Sequence, residues 1–290
     1  MHLINLFNMS YFDRSILFLK GMAMGVSDLI PGISGGTVAL LLGIYKNFIS
    51  SLKSIDFSTF TYLFQLNFKK LDAQINFNFL ITVFLGIITS IFIFSNLISH
   101  LLVNQKIILF SFFFGLILFS SVKLILNLSP RSFYDFLYII LGVSIGISIL
   151  FVNPLSTSDN FLSIFISGLV AISAMLLPGI SGSYILLLLG KYQFMLDSIS
   201  NLNITNILVF SLGAILGLLS FSKIIHWLID KFYRPTIFFL GGLMLGALNK
   251  VWPWQVNDEI VFPFGDATEL ILSTIFFIVS GLISFYLKSK

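Results

Sequence analysis

Ser34 and Ser181 lie in the same pentapeptide, Pro-Gly-Ile-Ser-Gly, at 31–35 and 178–182, and each copy interrupts a long apolar run. Pro31 and Pro178 remove a backbone donor and clash with the preceding turn. Gly32 and Gly179 permit a sharp reversal, and Ser34 or Ser181 can cap the helix that restarts. The restarted helix aims free N–H groups and the positive end of its dipole at the break, which suits an anion. The candidate anion-binding residues are Ser34, Gly35, Gly36 and Thr37 in the first copy, and Ser181, Gly182, Ser183 and Tyr184 in the second. Backbone freed inside a bilayer persists only where protein or a polar cavity satisfies it. Duplicated broken helices therefore point to a transporter's binding site; a kink used only for packing is the plainer alternative.

Asp28 is the acidic residue embedded in an apolar run beside a break, and its counterpart in the second copy is Met175. A carboxylate there is costly unless paired or protonated, which makes it a candidate for coupling. A lysine partner, a carried proton, Na⁺ and simple helix capping are its four possible fates. Lys123 and Lys250 correspond to each other and suit capture of an anionic head group from opposite faces, with snorkelling as the alternative. Arg14 and Lys20 could serve one mouth or simply mark topology. Tyr45 and Tyr192, with Gly43 and Gly190, match in the two copies and suit hairpin packing. His100 and His226 stand apart from each other and from acidic clusters, so no metal site is expected. Gly32-Ile33-Ser34-Gly35-Gly36 also satisfies the Gly-x-Ser-x-Gly elbow of serine hydrolases, but that elbow needs a sheet, a histidine and an acid.

Elements able to position these groups must be membrane helices. The 290 residues are 57% hydrophobic and 10% charged, with 34 Phe and a mean hydropathy of +1.03. A soluble domain carries about 25% charged residues. Apolar segments run over about 15–30, 37–52, 79–102, 107–127, 134–152, 161–177, 184–198, 205–229, 236–250 and 269–287. No cysteine is present, so disulfides and thiolate metal sites are excluded. The start of the chain carries Asp13 and no small-residue cleavage site, and does not read as a removable signal peptide. The net charge of +4 reads as topology and not as nucleic-acid affinity.

The repeat extends past the pentapeptide. Leu29–Tyr45 and Leu176–Tyr192 share 11 of 17 positions at an offset of 147. At an offset of 127, Leu85-Gly86 aligns with Leu212-Gly213, and Lys123 with Lys250. The expected fold is all-α, with repeat one at 1–152 and repeat two at 153–290. Each repeat would hold a broken or re-entrant hairpin (15–52 and 161–198) plus three spans, and three spans invert the second relative to the first. With the N-terminus cytoplasmic, thirteen basic residues fall inside, Lys288 and Lys290 among them, against Lys106, Lys191 and Lys250 outside. That bias places both termini in the cytoplasm. Trp252 and Trp254 suit a headgroup belt, ahead of Asp258, Glu259, Asp266 and Glu269. The excess of repeat one, 53–78, reads as an amphipathic stretch on the inner surface or as an ordinary loop.

The run from Gly21 to Thr37, followed by Gly43-Ile44-Tyr45, resembles the signature of the polyprenyl-phosphate transporter family, formerly a family of unknown function. Leu177–Ser183 and Lys250-Val251-Trp252-Pro253-Trp254 resemble it too, with Ser27 a mild departure before the aspartate. The resemblance implies transport of undecaprenyl phosphate from the outer to the inner leaflet of the bacterial cytoplasmic membrane, for reuse in cell-wall synthesis. It implies phosphate capture near Lys250, passage by the two breaks and exit past Lys123, with the tail left in lipid through a lateral opening. The partners so implied are the polyprenyl phosphate and the bilayer, with H⁺ or Na⁺ as coupling ion and a homodimer left open; no cofactor is expected. A carrier or channel for a small soluble anion is the rival, and an intramembrane serine hydrolase the remote one.

Overall fold

The computed structural model describes residues 11–155, 157–256 and 259–286. Both chain ends, Lys288, Lys290 and Asp258 lie outside the described residues. The first half contains α1 (Tyr11–Asp28), α2 (Gly35–Leu41), α3 (Tyr45–Lys53), α4 (Phe57–Phe64), α5 (Phe68–Ile75), α6 (Phe77–Asn104), α7 (Lys106–Asn127) and α8 (Phe133–Ser148). The second contains α9 (Phe161–Met175), α10 (Gly182–Leu188), α11 (Tyr192–Ser200), α12 (Ile204–Lys231), α13 (Tyr233–Ala247) and α14 (Ala267–Tyr286). A two-residue antiparallel ladder, β1 (Gln255–Val256) with β2 (Glu259–Ile260), folds the α13–α14 connection. α6, α7, α12 and α14 are long and apolar enough to cross a membrane, and α8 and α9 are shorter apolar helices. This is an all-α membrane protein.

Close backbone approach pairs the long helices. Gly21 and Gly25 of α1 face Val83, Ile87 and Ser90 of α6, while Gly86 faces Phe18 and Met22. Gly168 of α9 faces Phe210 of α12, and Gly213 and Gly217 of α12 face Phe165 and Leu169. Small residues let helices meet this closely where lipid supplies no hydrophobic drive. The order of these contacts makes both pairs parallel. The remaining pairs cross between halves: α7 lies along α14 through Gly115 and Ser280, and α8 along α13 through Gly142, Gly146, Gly242 and Gly246.

The hairpin arms expected as single helices at 37–52 and 184–198 are each two helices. Gly43 (φ 70°) and Gly190 (φ 66°) break them. The carbonyls freed there find other donors: Lys20 Nζ donates to Leu42 O at 2.8 Å, Leu155 N to Leu188 O at 2.7 Å, and Thr157 Oγ1 to Leu189 O at 2.7 Å. Buried backbone groups require such partners. Lys191, wholly buried, donates to Thr157 O, Ser158 O and Asp159 Oδ1, and so straps the α8–α9 loop to the second break.

Segment 53–78 forms the α4–α5 pair, anchored by buried Leu71 and Ile75 and showing Phe57, Phe64 and Phe68 outward. Asp56 caps α4 in a capping box with Thr59 and accepts from the Gln74 side chain at 2.7 Å. Hydrogen bonds from the side chains of Ser58 and then Gln74 hold its carboxyl below the usual carboxylate range. A depressed acid supports the fold above its unfolded value, about 4, and that support fades as pH falls through the lowered one. Acidification should therefore raise hydrogen exchange in 56–75 while the spans stay protected. Asp56→Ala, which removes the accepting oxygens, should show the raised exchange already at neutral pH; protection in that variant equal to wild type would refute the capping role.

Candidate functional site

Both pentapeptides turn alike. Ile33 N donates to Ile30 O at 3.1 Å and Ile180 N to Leu177 O at 3.2 Å, with Gly32 at φ 87° and Gly179 at φ 94°. Proline followed by a positive-φ glycine is the type II pattern, which only glycine enters freely. Ser34 and Ser181 then stand at the N-caps of α2 and α10.

The two tips bind each other. Ser34 Oγ donates to Met175 O at 3.0 Å and Tyr45 OH to Leu176 O at 2.7 Å, while Gly179 N donates to Thr37 Oγ1 at 2.8 Å. Side chains of the first hairpin thus satisfy carbonyls left open where α9 ends. The arrangement is one-sided. Ser181 Oγ instead pairs with Ser183 Oγ at 2.8 Å, and Tyr192 is 40% exposed. Ser34 accepts the expected capping bond from Gly36 N, but Ser181 makes no side-chain cap. The neighbouring hydroxyl explains this, because Ser183 stands where the first copy has Gly36. Tyr45→Phe strands the buried Leu176 carbonyl and should destabilise the protein by about 1–3 kcal/mol. Tyr192→Phe should leave the thermal midpoint unchanged; equal losses in both variants would contradict the one-sided tip contact.

Asp28 closes α1 and reaches across the first break, where its Oδ1 accepts from Gly35 N at 2.6 Å. The first helix start is therefore filled by the protein's own carboxylate. In the second copy Met175 leaves that place without a charge. There Lys250, in the 3₁₀ turn after α13, sets its Nζ 3.9 Å from the Tyr184 ring centroid, a cation–π distance. Lys250, Tyr184, Ser181, Gly179 and Gly32 line one narrow cleft between the joined tips and the ends of α8 and α13. A cation, a hydroxyl and a helix start converge on this cleft, an arrangement suited to an anionic oxygen.

Other candidates stand elsewhere. Lys123 Nζ donates to Ser284 O at 2.9 Å and Phe285 O at 2.7 Å, so it caps the end of α14 and does not line the cleft. Arg234 joins Asp135 at 3.0 Å and Leu128 O at 2.8 Å, tying the α7–α8 loop to the start of α13. His100 Nδ1 meets Asn104 Nδ2 at 3.1 Å. Among the described residues no cluster of three His, Cys, Asp or Glu could hold a metal.

The profile of the VCA0040-like, undecaprenyl phosphate translocase-like family matches residues 24–265, a stretch that contains both tips, Asp28 and Lys250. The chain belongs to this family. It is similar to a polyprenyl-phosphate transporter of Vibrio cholerae, with 42% identity over 238 residues, 82% of this chain and 77% of that one. It is 34% identical over 285 residues to a polyprenyl-phosphate transporter of Staphylococcus aureus, covering 91% of this chain and 94% of that one. No solved structure matches significantly. The family stretch contains the strapped breaks as well as the cleft, so the scaffold and the candidate site fall under one profile. Tyr184's role was visible in the sequence only as the fourth residue of a restarted helix. Its pairing with Lys250 spans 66 positions and has no local signal.

Proposed function

We propose that this chain moves a polyprenyl phosphate, specifically undecaprenyl phosphate, from the outer to the inner leaflet of the bacterial cytoplasmic membrane. The observation that carries the reading is the Lys250–Tyr184–Ser181 cleft at the joined tips, in a chain whose relatives are named for this cargo. The phosphate oxygens would take the Lys250 ammonium and the Ser181 and Ser183 hydroxyls in place of water, because a buried phosphate needs donors throughout. The halves are proposed to be inverted repeats with both termini cytoplasmic. Parallel pairing of α1 with α6 and of α9 with α12 supports this, since it returns each hairpin to the side from which it started. The exposed phenylalanines of α4 and α5, beside Lys53, Lys69 and Lys70, would rest on the inner leaflet.

Asp28 is the proposed coupling residue. Protonation would weaken its hold on Gly35 N and free the first helix start while the phosphate passes. The Ser34 hydroxyl donates to a carbonyl and not to a base, which favours transport over hydrolysis. The test is leaflet exchange of labelled undecaprenyl phosphate in liposomes carrying the purified protein, with Asp28→Asn alongside and a pH gradient imposed. Exchange that needs the protein and follows the gradient in wild type but not in the variant is the expected result. Uptake of inorganic phosphate without lipid exchange would overturn the cargo and leave a small-anion carrier.

A further inference from the structure

The joined tips have a second face, opposite in character to the Lys250 cleft. A groove of about 280 Å³ runs between α6 and α12 to the base of the first break. Phe48, Phe84 and Ile87 form one wall, and Ile172, Ile215 and Leu218 the other. Its mouth faces outward from the bundle, with Phe84 and Ile215 partly exposed where hydrocarbon surrounds the fold. At its base lies the Asp28 carboxylate. Oδ1 accepts from Gly35 N, and Oδ2 makes no hydrogen bond among the described residues. Tyr45 is the other titratable group lining the groove, and its hydroxyl is committed to Leu176 O. Among the described residues no basic side chain lines it.

We propose that this groove is a binding site for a lipophilic ammonium ion, an amine carried on an isoprenoid or alkyl body. The ammonium would meet Asp28 Oδ2 at charge-assisted hydrogen-bond distance, and the body would lie along the apolar walls. A carboxylate oxygen without a partner attracts a cation more strongly between apolar walls than in water. The mouth opens toward hydrocarbon, so a small hydrophilic cation cannot approach by that route, whereas an amphiphile partitions there. At about 280 Å³ the groove sits at the small end of small-molecule pockets, roughly 300–1,000 Å³, so it would hold the amine and the first part of the body while the rest stays in hydrocarbon. A phosphate lipid is the wrong charge for this base, which separates the site from the proposed cargo cleft.

The test is calorimetric titration of the purified full-length protein in detergent with farnesylamine and, separately, with farnesol, two ligands sharing one tail. Farnesylamine should bind about 10- to 100-fold more tightly than farnesol, the worth of a charged hydrogen bond. Asp28→Asn, isosteric and still able to accept from Gly35 N, should erase that difference. Ala214→Phe, which fills the groove, should weaken both ligands. Equal binding of amine and alcohol by wild type overturns the proposal, as does an amine preference that survives Asp28→Asn or undiminished amine binding by Ala214→Phe. Elution volume and thermal midpoint are followed for both variants, and either variant alone decides the outcome if the other does not fold. These readouts measure binding without transport, so the proposal can fail while the transport reading stands, and the reverse.

Discussion

Lys250→Ala should lower protein-dependent exchange of undecaprenyl phosphate about 10- to 100-fold, because it removes the cation that lines the tip cleft. The thermal midpoint should barely move. In the folded protein the ammonium rests on the Tyr184 ring, a contact worth only about 0.5–1 kcal/mol where solvent reaches it. A large functional loss with a small stability loss is the signature of a ligand-binding cation. Lys250→Arg should retain part of the activity, since charge survives while the compact ammonium is replaced by a planar fork. Tyr184→Leu should act in the same direction more weakly, by leaving the lysine unplaced. Exchange by Lys250→Ala within about twofold of wild type, a change of only ~0.4 kcal/mol, would remove Lys250 from the site.

Gly213→Leu should have the largest effect on folding. A Cβ at Gly213 overlaps the Phe165 carbonyl oxygen of α9, and a backbone atom cannot rotate aside. α9 and α12 would have to separate along their contact, which places the variant at or above about 3 kcal/mol of destabilisation, the upper end for overpacking. Gly86→Leu should behave alike, because its Cβ overlaps the Phe18 carbonyl of α1. Gly241→Ala is the contrast. Its new methyl would meet the Ile125 side chain at 2.9 Å, and a side chain can yield. The measurement is the yield of monodisperse protein and its thermal midpoint. Normal yield and midpoint for Gly213→Leu would contradict the close α9–α12 approach.

Much of the tip geometry was readable in the sequence because it depends on local rules. Pro31-Gly32 and Pro178-Gly179 permit few turns, and Ser34 follows at the cap position in the expected way. The breaks at Gly43 and Gly190 were not read, since a glycine within an apolar run carries no signal until its φ is known. Their repair by Lys20, Leu155 and Thr157 depends on chain segments brought together only by folding. Asp28 was read among several fates, and its bond to Gly35 is the capping one. Lys123 and Lys250 align in the repeat, yet the fold sends one to the end of α14 and the other to the tips. Alignment reports common descent of position, whereas the neighbours that decide a lysine's task come from the other half.

That exchange of neighbours reaches further. α7 rests on α14 and α8 on α13, so each half lends two of its helices to cover the other, in the manner of a domain-swapped dimer joined into one chain. Neither half owns a complete interior. The hairpins stay with their own partners, α1 on α6 and α9 on α12, while the swapped helices form a shared frame around them. Movement of one hairpin pair against the other need not unpack that frame; the contacts that would have to slide are the hydrogen bonds joining the two tips and the packing of α3 on α12.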